Sequence, residues 1–228
     1  GSDSSWNQYI RAYFDLYRDS MGDTPFYPSV GNHELHRGTG CGYQGYTDVY
    51  HLPVNAPSDD EEEYYSFDWG NAHFVALDTN QVYSPGGPQY NWLVKDLRTS
   101  TQPWKFVFFH HPAYSSGRHG STSAVQTHLV PIFETYGVDV VFNGHDHGYE
   151  RSELPGGLTA IVTGGAGAGT YPKRSDAAGQ NPHSVAFAAR HHYCLVRVEG
   201  DADVVPAEVV DLEVARHPPE PGPYERPS

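Results

Sequence analysis

Three short segments carry residue types that bind cations. They are Gly31-Asn32-His33-Glu34, Phe109-His110-His111-Pro112 and Asn143-Gly144-His145-Asp146-His147. An imidazole nitrogen and an amide oxygen both ligate ions such as Zn, Fe and Mn. His145 and His147 stand two residues apart. In an extended segment they point the same way, and in a tight loop they can reach two adjacent ions. A lone histidine at a strand end is ordinarily a hydrogen-bonded loop residue. Three such loops in one chain, each with its own polar cluster, favour a metal centre built on Asn32, His110, His145 and His147.

Other chemistries fit less well. Gly164-Gly165-Ala166-Gly167-Ala168-Gly169 could cradle a phosphate through its backbone amides, but it lacks the Lys-Ser/Thr ending of a P-loop. It reads as a tight connection beside the site. No Gly-x-Ser-x-Gly elbow occurs, and Cys41 and Cys194 lack the flanking pattern of a cysteine nucleophile. The two cysteines could form one bridge or be two buried thiols. The acidic run from Asp59 to Glu63 reads as a solvated loop, because like charges repel and stay in water.

The elements that must position these residues are legible in outline. Trp6, Tyr9, Ile10, Tyr13, Phe14 and Tyr17 follow helical spacing. Phe26 to Val30 reads as a short strand ending in Gly31-Asn32. Tyr64 to Trp69 and His73 to Asp78 read as a hairpin closed at Gly70-Asn71. Pro88 to Leu97 is a predicted helix with proline in its first turn. Trp104 to Phe109 and Val138 to Phe142 are almost unbroken apolar runs, as in strands buried on both faces. Between them, Ser123 to Tyr136 is a predicted helix stopped by Gly137. Thr159 to Val162 is a strand that runs into the glycine run. Tyr193 to Val198 and Val204 to Val214 read as closing strands, and a Pro-rich tail follows from His217. In layered α/β proteins ligands collect where strand ends face a crevice, so Asn32, His110, His145 and His147 are expected to meet there.

Composition narrows the function. The 228 residues carry 14 Lys plus Arg against 28 Asp plus Glu, a formal charge of −14. A general nucleic-acid binder is basic, and an acidic surface is repelled by anionic membranes. No apolar run approaches the roughly 20 residues of a membrane span. With 24 Gly, 18 Pro, 17 Tyr, 10 Phe and 4 Trp, the chain is loop-rich with aromatic packing, which excludes a helical bundle and a disordered chain. There are 14 His against a single Met.

Taken together, Gly31-Asn32-His33-Glu34, Val107-Phe108-Phe109-His110 and Gly144-His145-Asp146-His147 resemble the last three motif blocks of the calcineurin-like metallophosphoesterases. The continuation Gly148-Tyr149-Glu150-Arg151-Ser152-Glu153 and the glycine run after Ile161 resemble the purple acid phosphatase branch. The likeness runs from about Trp6 to about Val214. It implies an α/β fold with two mixed sheets packed face to face and helices outside, with residues 1–216 as the catalytic domain and 217–228 as the tail. It implies hydrolysis of small phosphorylated substrates at a centre of two metal ions (Fe, Zn or Mn), with a metal-bound hydroxide as nucleophile. Asn32, His110 and His145 match ligands of the second ion, and His147 matches a ligand of the first. His33 and His119 match the histidines that contact substrate phosphate or protonate the leaving group. His111 is assigned no ion contact. The resemblance also points to an extracytoplasmic location, in keeping with only 3 Lys and abundant Tyr, Gly and Pro.

Two earlier blocks of that family are not found in these residues: an Asp-x-Gly or Asp-x-His strand end, and Gly-Asp-x-x-Tyr, whose Asp bridges the ions. Gly22-Asp23-Thr24 stands too close to Gly31. The resemblance therefore predicts that about 60–80 residues, two βα units, belong upstream of Gly1 or come from another polypeptide. Without the bridging carboxylate, Asp23, Asp78 and Asp146 are the substitutes to consider. The alternative reading is a binding module or fragment that keeps the fold with impaired catalysis.

Overall fold

Seven of the chain's strands form one mixed sheet whose central four run parallel. The computed structural model describes residues 24–35, 42–57, 62–176, 180–198 and 209–210. The elements in chain order are α1 (Gly42–Thr47), β1 (Tyr65–Trp69), β2 (Ala72–Ala76), α2 (Pro88–Thr99), β3 (Trp104–Phe109), α3 (Ser123–His128), α4 (Val130–Thr135), β4 (Val140–Asn143), β5 (Tyr149–Glu153), β6 (Thr159–Thr163), β7 (Ser184–Ala188), β8 (Leu195–Val196) and β9 (Val209–Val210). The sheet order is β1-β2-β3-β4-β6-β5-β7. β2, β3, β4 and β6 pair in parallel. Antiparallel pairs, β1 with β2 at one edge and β6-β5-β7 at the other, flank them.

That topology positions the site. Parallel neighbours end at the same side of a sheet, so the loops after β2, β3, β4 and β6 share one end. Phe109 is level with Asn143, and Asn143 with Val162. These loops carry Asp78–Asn80, His110–His111, Gly144–His147 and the glycine run.

Both sheet faces are covered, which is why β3 reads as WKFVFF with hardly a polar residue. On one face Val75, Val107, Phe109 and Val141 pack against Leu93 and Leu97 of α2, Val125 of α3, and Ile132 and Phe133 of α4. On the other, Trp104, Phe106, Val140, Tyr149 and Ile161 meet Cys194, Val196 and Val198. β8 pairs with β9 as a two-stranded ribbon on this face. Among the described residues that ribbon is the second sheet of the expected sandwich, smaller than anticipated. A row of stacked rings, Phe67–Phe74–Phe106 at 5.1 and 5.2 Å, stiffens the β1 edge.

Several expectations are corrected. Phe26–Val30 forms no strand. Pro28 has no N–H to donate, and its carbonyl instead accepts the hydroxyls of Tyr46 and Tyr65 at 2.8 and 2.7 Å. The helix expected over 123–136 is two helices meeting at Leu129, because Pro131 removes the amide that would continue the first. Within the acidic run, Glu62 and Glu63 are half-buried rather than solvated. Glu62 accepts the Leu52 amide at 2.7 Å, and Glu63 accepts the Gln81 side-chain amide. Strand β8 covers only Leu195–Val196 of the run from Tyr193 to Val198. Of the run from Val204 to Val214, only Val209–Val210 is described. Cys194 is a free, half-buried thiol whose Sγ lies 3.3 Å from Thr163 Oγ1. Cys41, Asp23, the expected helix at Trp6 and the tail lie outside the described residues.

Candidate metal centre

His110 leaves the end of β3 with its Nε2 2.6 Å from Asn32 Oδ1 and 3.0 Å from His145 Nδ1. The donors come from three different loops, those of His110 and His145 at strand ends, and each loop is locally fixed. The Gly31 amide donates to Glu34 Oε2 at 2.8 Å. A Cβ on Gly31 would lie 2.7 Å from that oxygen and 3.0 Å from His110 Nδ1, so a larger residue would displace the Glu34 carboxylate and crowd the histidine. The Gly144 amide donates to the His110 carbonyl at 3.1 Å, and Asn143 Nδ2 donates to the Phe109 carbonyl at 3.0 Å. His145 itself has φ +66°. Such a left-handed backbone is uncommon for a residue with a side chain and collects at functional sites.

The electrostatics keep these nitrogens unprotonated. Burial, followed by the charges of His111, His145, His33 and His119, pushes His110 down to about 3. Burial, followed by His111 and His119, pushes His145 down to about 4. Burial also lowers His111, against the opposing pull of Asp78. Neutral imidazoles packed this closely offer lone pairs to one point. With an amide oxygen beside them, the donor set suits a borderline transition metal ion. His110, His111 and His145 place one possible ligand atom each within 4.8 Å of the other two.

The remaining predicted residues are distributed around this cluster. The His119 ring lies 4.1 Å from the His145 ring, centroid to centroid, and is exposed. His33 is exposed beside the cluster, near enough for its charge to act on His110. His147 is not brought into the cluster. Its Nδ1 donates to the Gly169 carbonyl at 3.0 Å, and its ring stacks on Tyr171 at 4.3 Å. The glycine run thus serves as a connection that holds a site histidine. At the rim, the Arg118 guanidinium carbon lies 5.4 Å from the centroid of the Tyr171 ring.

Two buried carboxylates escaped the sequence reading as organisers. Asp146 accepts the Ser115 hydroxyl at 2.6 Å and the amides of His119 and Gly120 at 2.8 and 3.1 Å. Glu150 accepts the Ser116 amide and hydroxyl at 2.6 and 2.7 Å. Together they fasten the 115–120 loop, which carries His119, to the sheet. Gly117 is required by this closeness, since a Cβ there would stand 2.4 Å from Asp146 Cγ. Asp78 is equally committed. It accepts the Tyr43 hydroxyl at 2.5 Å and the backbone and side-chain amides of Asn80 at 2.8 and 2.7 Å. Burial and this bond to Asp78 hold the Tyr43 hydroxyl in its protonated form. Neither Asp78 nor Asp146 is left to bridge two ions. The only sequence signal for these roles was an acid lying between two candidate ligands.

Comparison with known proteins identifies the family. The family profile described as calcineurin-like phosphoesterase matches residues 1–149. A purple acid phosphatase of Glycine max is 36% identical over 158 residues, 64% of this chain and 33% of the relative. The Fe(3+)-Zn(2+) purple acid phosphatase 12 of Arabidopsis thaliana is 34% identical over 158 residues, again 64% of this chain and 33% of the relative. Among solved structures, the purple acid phosphatase PPD1 from yellow lupin seeds superposes with a TM-score of 0.66 at 20% identity, covering 82% of this chain and 40% of that one. The chain spans about a third of the length of the curated relatives it matches.

Proposed function

Because this chain belongs to the calcineurin-like phosphoesterase family, we propose that it is part of a metal-dependent phosphoric ester hydrolase acting on small phosphorylated substrates. The observation that carries the reading is the meeting of Asn32 Oδ1, His110 Nε2 and His145 Nδ1 from three separate loops, two of them at strand ends. These three residues would hold one ion. His147, with Nδ1 engaged by Gly169, retains Nε2 as a donor toward a second. Ions bound there would supply Lewis acidity toward phosphoryl oxygen and an acidified water.

The chain's own residues do the rest. Depressed basicity keeps His110 and His145 available as lone-pair donors well into the acid range. Exposed His119, its ring tilted against that of a ligand, can hold or deliver a proton at the leaving oxygen, and exposed His33 shares that approach. Asp146 fixes His119 through its amide. Since the chain is strongly acidic, phosphate is drawn in by local positive charge at the mouth rather than by the whole surface. An extracytoplasmic location belongs to this proposal. Among the described residues no helix is long and apolar enough to cross a membrane.

Phosphate release from p-nitrophenyl phosphate and from bis(p-nitrophenyl) phosphate, followed with the full-length protein before and after chelation, tests the reading. The expected result is chelation-sensitive turnover of at least one ester, with His145→Ala losing more than His119→Ala. An ion ligand removes the activated water with it, whereas a proton donor contributes only about 10²–10⁴-fold. Absence of turnover on both esters with metal present would overturn it.

A further inference from the structure

His111 follows His110 directly, and in a continued strand the two side chains would point to opposite faces. Here β3 ends at Phe109, and both rings enter the same cluster. The His111 ring centroid lies 4.8 Å from that of His110 and 4.7 Å from that of His145. Thr79, just past the end of β2, holds the turn. Its Oγ1 accepts the His111 amide at 3.2 Å and lies 2.8 Å from His111 Nδ1. With Nδ1 engaged, Nε2 is the nitrogen left for a ligand. A polar partner on the far ring nitrogen, fixing orientation, is the usual companion of a metal-binding histidine.

Resting on the reading of Asn32, His110 and His145 as ion donors, we propose that His111 is a further direct ligand. One transition metal ion is then held by three imidazoles and an amide oxygen, all from this chain. Three histidines are a sufficient protein set for a four-coordinate zinc ion, with the last position left to an oxygen donor or substrate. Donors around such an ion stand about 3.3 Å apart, given bonds of about 2.0–2.1 Å. The His110–His145 pair, at 3.0 Å, already has that spacing. Since all three candidate atoms lie within 4.8 Å of one another, His111 closes by at most about 1.5 Å to complete the set. The ring sits at the start of a loop, where a small backbone adjustment and a side-chain rotation supply that distance. The donors that this chain supplies are all uncharged, so none of them offsets the ion's positive charge toward a phosphate.

The test is zinc binding rather than turnover. Metal-stripped full-length protein is titrated with Zn²⁺ against a competing chromophoric chelator. X-ray absorption at the zinc edge then counts imidazoles at one equivalent. The parent is expected to show three. His111→Ala and the bulkier His111→Gln each lose at least about 10–100-fold in affinity, and the count falls to two. Thr79→Val, which removes only the orienting hydroxyl, weakens binding about tenfold and keeps three imidazoles. Affinity within twofold of the parent in both His111 variants, or an unchanged imidazole count in them, overturns the proposal. His145→Ala separates the two levels of argument. If that variant also binds zinc like the parent, the ion site itself is misread, and not only the part given to His111.

Discussion

Asp146 lies between His145 and His147, yet its carboxylate is spent on the loop that carries a third histidine. It is 3% exposed and accepts three donors from residues 115–120. Removing it leaves the Ser115 hydroxyl and two amides without their acceptor, at a cost of about 1–3 kcal/mol for a buried group left unsatisfied. Asp146→Ala is therefore expected to lower stability and to release His119 from its place against the His145 ring. If positioning His119 is the way Asp146 acts on turnover, then Asp146→Ala and His119→Ala share one effect. Steady-state rates on p-nitrophenyl phosphate for both single variants and the double variant decide this. The double should be no slower than the slower single, whereas independent roles would multiply the losses. Asp146→Asn, which keeps one acceptor oxygen, should fall between parent and alanine.

At the scale of elements, a charge cluster around the buried His73 ties the β1–β2 hairpin to α2. His73, 6% exposed, lies with Nδ1 2.6 Å from Asp68 Oδ1 and Nε2 2.8 Å from Asp96 Oδ2. Asp96 Oδ1 also accepts the Ser66 hydroxyl at 2.8 Å. Burial opposes the charged imidazole, but hydrogen bonds to Asp96 and Asp68 outweigh it and raise His73 above its ordinary 6.5. Burial likewise opposes the Asp68 carboxylate, but the His73 and Gln102 hydrogen bonds hold it below its ordinary 3.8. The His73 share of stability is thus fully present below pH 6.5 and lost as pH rises through the raised folded value. The Asp68 share is present above pH 3.8 and lost as pH falls through the lowered one. Urea unfolding of His73→Asn against the parent should show its largest gap, about 1–3 kcal/mol, between about pH 4 and 6.5, closing at alkaline pH. None of this was legible from sequence, where His73 read only as the first residue of a strand. The apolar strands β3, β4 and β6 were legible because burial on both faces leaves an unbroken run. Strands β5 and β7 were not. Tyr-Glu-Arg-Ser-Glu hides two polar residues, Glu150 and Ser152, whose partners Ser116 and Asn181 are distant in sequence. The histidine positions in the site were legible because strand ends announce themselves. The engagement of His111 was not, since it depends on Thr79 from the loop after another strand.

For the whole molecule, charge and donor inventory set what the chain can hold. A formal charge of −14 repels a phosphate dianion at long range, so affinity for phosphate has to arise from cations fixed at the end of the parallel strands. The inventory there is asymmetric. Asn32, His110, His145 and the adjoining His111 gather on one side, while His147 stands apart, bonded to Gly169. Two cations about 3.5–4 Å apart need an anionic bridge between them, and both described candidates, Asp78 and Asp146, have their oxygens committed to hydrogen-bond donors. The 228 residues contain no Gly-Asp-x-x-Tyr segment to supply another. This chain purified by itself is therefore expected to retain one tightly held transition metal ion, not two, and to release phosphate from p-nitrophenyl phosphate far more slowly than the full-length protein. Elemental analysis after exhaustive dialysis gives the first number and a colorimetric phosphate assay the second. Inorganic phosphate should bind the one-ion form and lose that binding on chelation, because the bound ion supplies the positive charge that opposes the net charge at this end of the sheet. Two retained ions with rapid turnover would mean that a carboxylate within these residues changes partners to bridge them. Asp78, which would have to give up the Tyr43 hydroxyl and Asn80, would then be the first to substitute.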